Sequence, residues 1–350
     1  MSPRIAIILV ILLAVLGGGA LLYYQQEGAR RPDNVGTLGQ APFRDLKAAD
    51  IASIRIVEPK ATLTLKRTNA GWVIAERAGF PADLGKVREF VLTVIGLKVG
   101  QSEPIGEKDR ARLNLDATGV HVEFLGADSK RLGMLTVGKK YFKREVENPE
   151  KAPADGRFIA VPGEAKLVYI VSDPLAQAST RSADWIDRAS FQVEKVKSLE
   201  VRAADAGWRI EREADNAGWK LAGAKPGEKL DISRANAASY SLGLLELADV
   251  APGEAPDTGL DKPTLINATT LDGLSYAIKV GRLAGDSYYV SFASSGTPAK
   301  KDGDERLKKL EERLPREKLL SGHVLLIAKS KLDDTLKKRQ ELLEKKETKK

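Results

Sequence analysis

The tetrapeptide Asn-Ala-Gly-Trp occurs twice, at residues 69–72 and 216–219, and so claims two of the four tryptophans in 350 residues. The spacing is about one domain length. A chance match would stop at four residues, whereas a duplicated folding unit forces a matching order of elements on either side of each copy. Upstream, "DIASIRIV" (residues 50–57) parallels "KVKSLEVR" (195–202). Both alternate apolar and polar positions, as half-buried strands do. "LTLKRTNAGW" then runs beside "WRIEREADNAGW", with Arg67 answering Arg212. Asn-Ala-Gly between two such strands reads as a hairpin turn, because Asn and Gly tolerate positive φ. Trp72 and Trp219 should each begin the return strand and pack on the unit's helix, in preference to stacking on a ligand.

Each tetrapeptide is followed by an acid that can cap a helix, Asp83 before "LGKVREFVLTVIGL" and Asp231 before "ISRANAASYSLGLLEL". Leu84, Val87, Val91 and Val94 share one helical face, as do Ile232, Ala235, Leu242 and Leu245. "LNLD" (113–116) matches "TGLD" (258–261), and two strands in each copy lead to a Val-Gly pair, Val137-Gly138 and Val280-Gly281. Each copy closes on an apolar strand and a helix, "LVYIVSDPLAQAST" against "HVLLIAKSKLDDTLKK". The expected architecture is α+β, with about seven strands and two or three helices per unit, because helices interrupt the strands instead of alternating with them. The expected divisions are a short cytoplasmic tail (1–4), a transmembrane anchor (5–24), a linker (25–42), repeat unit 1 (43–188), repeat unit 2 (189–340) and a charged C-terminal tail (341–350). Residues 181–190, "RSADWIDRAS", form the join, with Trp185 packed there.

Residues 5–24, "IAIILVILLAVLGGGALLYY", carry no charge. About 20 apolar residues span a bilayer core as helix, and Tyr23 and Tyr24 suit the interface. A cleaved signal would have a shorter apolar run ending in small residues. The expectation is one span, with the soluble units on the periplasmic side of a bacterial inner membrane. The absence of cysteine excludes disulfides, thiol catalysis and Cys-based metal sites. Net charge is +8, but seven of the basic residues lie from Lys337 onward, against three glutamates. With aromatics at 6%, no dense basic face with stacking platforms is implied, so nucleic acid is not an expected partner.

Catalytic constellations are not legible. His121 and His323 both sit in apolar strand contexts, and no phosphate-loop, zincin or nucleophile-elbow pattern occurs. No catalytic, cofactor-binding or metal-binding residue is assigned, and no cofactor is expected. Asp116 and Asp261 read as turn acids bonding nearby N–H groups, in preference to paired sites. The segment "KKDGDERLKKLEERLPREK" (300–318) reads as a solvated surface helix stopped near Pro315, and "KKRQELLEKKETKK" as a frayed basic end.

The ordered set "[IV]xSI", "GW", "Dxx[KR]", "GLD", "VG" and a terminal "VYIVS"-like strand resembles the bacterial domain-of-unknown-function family 4340, in two copies after about residue 43. That family has no assigned catalytic residues to carry over. The resemblance implies a setting beside an ABC-type transport system and an auxiliary protein of the gliding-motility export kind. The functional expectation is a non-catalytic, membrane-anchored accessory or scaffold of the cell envelope, with a protein partner in such a complex. A periplasmic binding module for an envelope polymer or lipid is the alternative, with Tyr141 and Phe142 or Tyr288 and Tyr289 as its aromatic lining. A hydrolase with converging carboxylates is a third.

Overall fold

The structure, a computed structural model, describes residues 38–344 except 165, 204–205, 255–256 and 299–304. The expected anchor at 5–24, the tail at 1–4 and most of the linker lie outside the described residues. Among the described residues no helix is long and apolar enough to cross a membrane. By contact the chain forms two compact units. One holds the described residues up to Thr62 with Arg88–Thr180, the other Leu63–Val87 with the described residues from Arg181 on.

Two antiparallel sheets carry the fold. The first comprises β1 (Ser53–Glu58), β2 (Ala61–Thr68), β3 (Gly71–Ile74), β4 (Phe80–Pro81), β5 (Val99–Pro104), β6 (Val120–Leu125), β7 (Arg131–Tyr141), β8 (Gly156–Ala160) and β9 (Leu167–Val171). Their spatial order is β4-β3-β2-β1-β6-β7-β8-β9-β5. The second comprises β10 (Val196–Arg202), β11 (Gly207–Glu211), β12 (Lys220–Leu221), β13 (Leu247–Val250), β14 (Thr264–Thr270), β15 (Ser275–Ala284), β16 (Ser287–Ser295) and β17 (Leu325–Ala328), in the order β12-β11-β10-β14-β15-β16-β17-β13. Setting β1 against β10 makes the two orders coincide strand for strand, with β4 left over. The sheets are larger than the seven strands expected of each unit. The strands the sequence hides are β4, too short to show an alternation, and the edge strands β5 and β13, whose register shifts space their buried residues three apart, at Val99 and Ser102 and at Leu247 and Val250.

The registers coincide as well. Val120 faces Val137 and Phe124 faces Gly133 in the first sheet, where Thr264 faces Val280 and Ala268 faces Tyr276 in the second. The edge strands break register at matching points, between Val99 and Gln101 in β5 and between Leu247 and Asp249 in β13. Both edges are covered by incoming chain: the Val99 N–H donates to Gln40 O at 3.0 Å, and the Leu247 N–H to Arg188 O at 2.8 Å. Covering an edge satisfies its free backbone groups and removes a template for aggregation. The covering segments read Gln-Ala-Pro-Phe and Arg-Ala-Ser-Phe, and both phenylalanines, Phe43 and Phe191, are buried.

The helices are α1 (Leu84–Gly96), α2 (Glu107–Arg112), α3 (Ile232–Tyr240), α4 (Glu305–Leu320) and α5 (Lys329–Leu332). Asp83 accepts from the Gly85 and Lys86 N–H groups at 2.8 and 3.2 Å, and Asp231 from Arg234 N–H at 3.2 Å, so both caps form. Each cap is itself tied down. The Asp83 N–H donates to Trp185 O and the Asp231 N–H to Leu342 O, at 2.7 and 2.9 Å. Both acceptors belong to buried residues at the end of a 3-10 turn, Ser182–Asp184 in one case and Arg339–Leu342 in the other. Of the apolar positions read on α1, Val87, Val91 and Val94 are buried, and Phe90 stacks on Phe124 with centroids 6.2 Å apart. Leu84 is not buried; it is 63% exposed.

Four readings of the sequence are corrected. No helix follows β9, because Asp173 precedes a proline and Leu175 takes a left-handed φ of 47°. His323 lies in a bend before β17, not in a strand. The helix through 300–318 does not stop at Pro315 but continues to Leu320, held by the sheet beneath it. The chain from Lys337 to Glu344 is not frayed: Trp208 Nε1 donates to Lys337 O at 2.7 Å, Arg339 pairs with Glu228 at 2.7 Å, and Glu344 N–H donates to Lys229 O at 2.9 Å. A basic composition masked the buried Leu342, which fixes this end.

Candidate functional site

The repeated tryptophans occupy matched hairpins but unequal surroundings. Trp72 sits opposite Arg67 across β2–β3 and is half-buried. Trp219 is 5% exposed, and its Nε1 donates to Asn236 on α3 at 2.8 Å. The Arg212 guanidinium lies over its ring at 4.6 Å. That guanidinium also reaches Val196 O and Asp215 O, each at 2.7 Å, so the cation is held by fixed dipoles. The turns differ too: Gly71 takes φ 126°, while Gly218 does not need a positive φ. The Trp219 site is a core device, its indole N–H and the Arg212 guanidinium both engaged within the fold.

Asp116 accepts from the Thr118 hydroxyl at 2.6 Å and the Thr118 N–H at 2.9 Å, and these bonds hold its carboxyl below the usual range. The turn it closes has a packing purpose. Lys139 N–H donates to Leu113 O at 2.9 Å and Arg282 N–H to Thr258 O at 2.8 Å. A Cβ on Gly138 would stand 2.4 Å from Leu113 O, and one on Gly281 2.2 Å from Thr258 O. The Val-Gly pairs and the "LNLD" and "TGLD" motifs are therefore two halves of one contact. Asn114, at φ 56°, takes the left-handed place of Gly259, at φ 68°.

His121 Nδ1 lies 3.0 Å from Thr136 Oγ1, and the His323 ring packs edge-on to Phe80 at 5.0 Å, where burial lowers its pKa. Tyr141 packs edge-on to Phe158 at 5.5 Å. Tyr288 and Tyr289 are neighbours on β16, so their rings leave opposite faces and cannot form one platform. Four cavities among the described residues, beside Lys220, Phe43, Tyr240 and Phe80, carry at most one aromatic each. Among the described residues no group of three or more His, Asp or Glu could hold a metal.

The least expected group is Glu317, on the segment read as solvated. It is 0% exposed. Tyr276 Oη donates to it at 3.0 Å, the Gln192 N–H at 3.2 Å, and Arg313 Nε lies 2.9 Å away. Arg313 also grips Gln192 O at 3.0 Å and Glu194 at 3.2 Å. Burial raises the carboxyl above its ordinary value, with the Arg313 charge and these hydrogen bonds opposing. Burial also raises the Tyr276 hydroxyl. The signal available in sequence was Leu310, Arg313, Glu317 and Leu320 on one helical stripe, hidden among mixed charges.

The model of the family described as "Domain of unknown function (DUF4340)" matches residues 72–263, more than half of the chain. The chain belongs to this family. The match begins at Trp72 in β3 and ends just before β14, so it takes in strands of both sheets. No curated protein and no solved structure matches the chain.

Proposed function

We propose that this DUF4340 protein is a non-catalytic accessory or scaffold of the cell envelope, built from two tandem copies of one unit and associated with an ABC-type transport system. One observation carries the reading. The landmarks shared by the two halves are caps, covered edges, turns and glycine contacts, the equipment of a frame and not of a reaction centre. Under this reading the apolar stretch at 5–24 anchors the chain in the inner membrane with its units in the periplasm. Anchoring raises local concentration, so weak contacts with a neighbouring transporter suffice. The polymer-binding alternative has less support, since it needs a groove with several aromatics.

The test is photo-cross-linking in native membranes from the exposed positions Leu92 and Leu244. The reading expects a discrete adduct with a membrane component of a transporter. Adducts with glycan or lipid alone, or none, would favour the alternatives. A periplasmic reporter fused after residue 350 should be active.

A further inference from the structure

α4 packs on β15 and β16 of the second sheet, and the first sheet has no matching helix among the described residues. Its seat is defined by three aromatic residues. Tyr276 bonds Glu317, Phe191 stacks on Tyr276 at 6.4 Å, and Phe191 stacks on Phe292 at 3.9 Å. Leu310 and Leu320 of α4 are buried.

The matched registers identify the same place in the first unit. Gly133 stands where Tyr276 stands, from the pairings with Phe124 and Ala268. Phe43 answers Phe191, from the edge-covering segments. Val137 faces Ile159 and Val280 faces Val290, so Val161, two residues on, answers Phe292. Phe43, Gly133 and Val161 together line an open groove of about 400 Å³. Phe43 Cδ1 lies 3.6 Å and Leu46 Cδ1 3.7 Å from a Cβ on Gly133, so these two buried side chains take the space of the missing Tyr ring and the groove opens beside them. Leu132 stands on the wall, 38% exposed. Arg44 brings positive charge to the lining and Asp45 the opposing one, while Arg131 pairs with Glu123 at 3.6 Å.

We propose that this groove is a docking site for an amphipathic helix of a partner protein, one that presents leucines to the groove and a carboxylate to Arg44. The precedent is intramolecular: the equivalent surface of the second unit is filled by a helix of that kind. Helix-in-groove recognition is a common mode, with apolar anchors at i, i+3, i+4 and i+7. The proposal rests on the scaffold reading. A transporter adduct without helix binding would leave that reading standing and remove the groove.

The probe is a fluorescent peptide of residues 305–320 of this chain, added to the full chain in detergent. Anisotropy and hydrogen exchange are the readouts. We expect saturable binding, weakened at least tenfold by Leu132→Asp and by Arg44→Glu, with peptide-dependent protection of residues 41–46 and 131–134. Unchanged melting of at least one variant makes its loss of binding specific. Three results would overturn the proposal: no saturable binding; protection of 190–193 and 275–278 instead, meaning that the peptide only displaces α4; or full protection of 41–46 and 131–134 before peptide is added, meaning that the chain's own residues 1–37 fill the groove.

Discussion

Glu317 is the residue at which chemistry and fold are most tightly joined. Its carboxyl is raised, so the folded state favours the protonated form. Its contribution to stability is therefore fully present below the ordinary carboxyl pKa and is lost as pH rises through the raised one. Glu317→Gln removes the charge; its one amide oxygen can still accept from the Gln192 N–H, while the amide NH2 faces the Tyr276 hydroxyl as a donor. Its melting temperature relative to wild type should climb from pH 4 to pH 8; a flat difference would contradict the buried charge. Glu317→Ala leaves the Tyr276 hydroxyl and Gln192 N–H without this acceptor and should cost about 1–3 kcal/mol. The glycine contacts are as sharp. Gly281→Ala should cost about 1–3 kcal/mol or more, because the Cβ meets backbone that cannot move aside. Asn114→Gly should be neutral or mildly stabilising in denaturant melts. Gly259→Asn should not be tolerated, since its Cβ would sit 2.5 Å from Arg282 Cγ. The sequence shows that these motifs recur but not that they touch, because the residues in contact lie about 25 positions apart.

Among the elements, α4 tests how far tertiary contact overrides local preference. Proline in a helix interior lacks a donor and is about 3 kcal/mol worse than alanine. α4 nonetheless runs through Pro315, since Leu310, Glu317 and Leu320 are fixed from below. Pro315→Ala should stabilise the protein by about 1–3 kcal/mol, read by urea melts; no gain would mean that the proline is accommodated without strain. The hairpins make a second comparison. Trp219→Ala should cost about 3–5 kcal/mol, as a buried aromatic with a bonded indole does. Trp72→Ala should cost clearly less, because that ring is half-buried. The identical tetrapeptides marked a hairpin at both places, but Trp72 lies within its return strand and Trp219 just before β12, and burial was set by neighbours such as Arg212 that lie outside them.

At the scale of the whole molecule, an α+β fold rich in antiparallel strands was legible from the sequence, but the spatial order of the strands in each sheet was not. Alternation, caps and the Val-Gly pairs are local signals, each written within one short stretch. The edge covers at Gln40 and Arg188 were not legible, since Gln-Ala-Pro-Phe and Arg-Ala-Ser-Phe share only two residues. Nor was the docked C-terminal turn: removing residues 337–350 should lower the melting temperature by several degrees, because Leu342 and the Asp231 acceptor go with it. The two sheets share one eight-strand order, and under our proposal the place that α4 fills on the second is open on the first. Hydrogen exchange on the full chain tests this directly. It should give parallel protection along corresponding strands of the two sheets, broken at one place: residues 41–46 and 131–134 exchange fast, while 190–193 and 275–278, beneath α4, exchange slowly. Equal protection at those two places, or unrelated patterns along the matched strands, would contradict it.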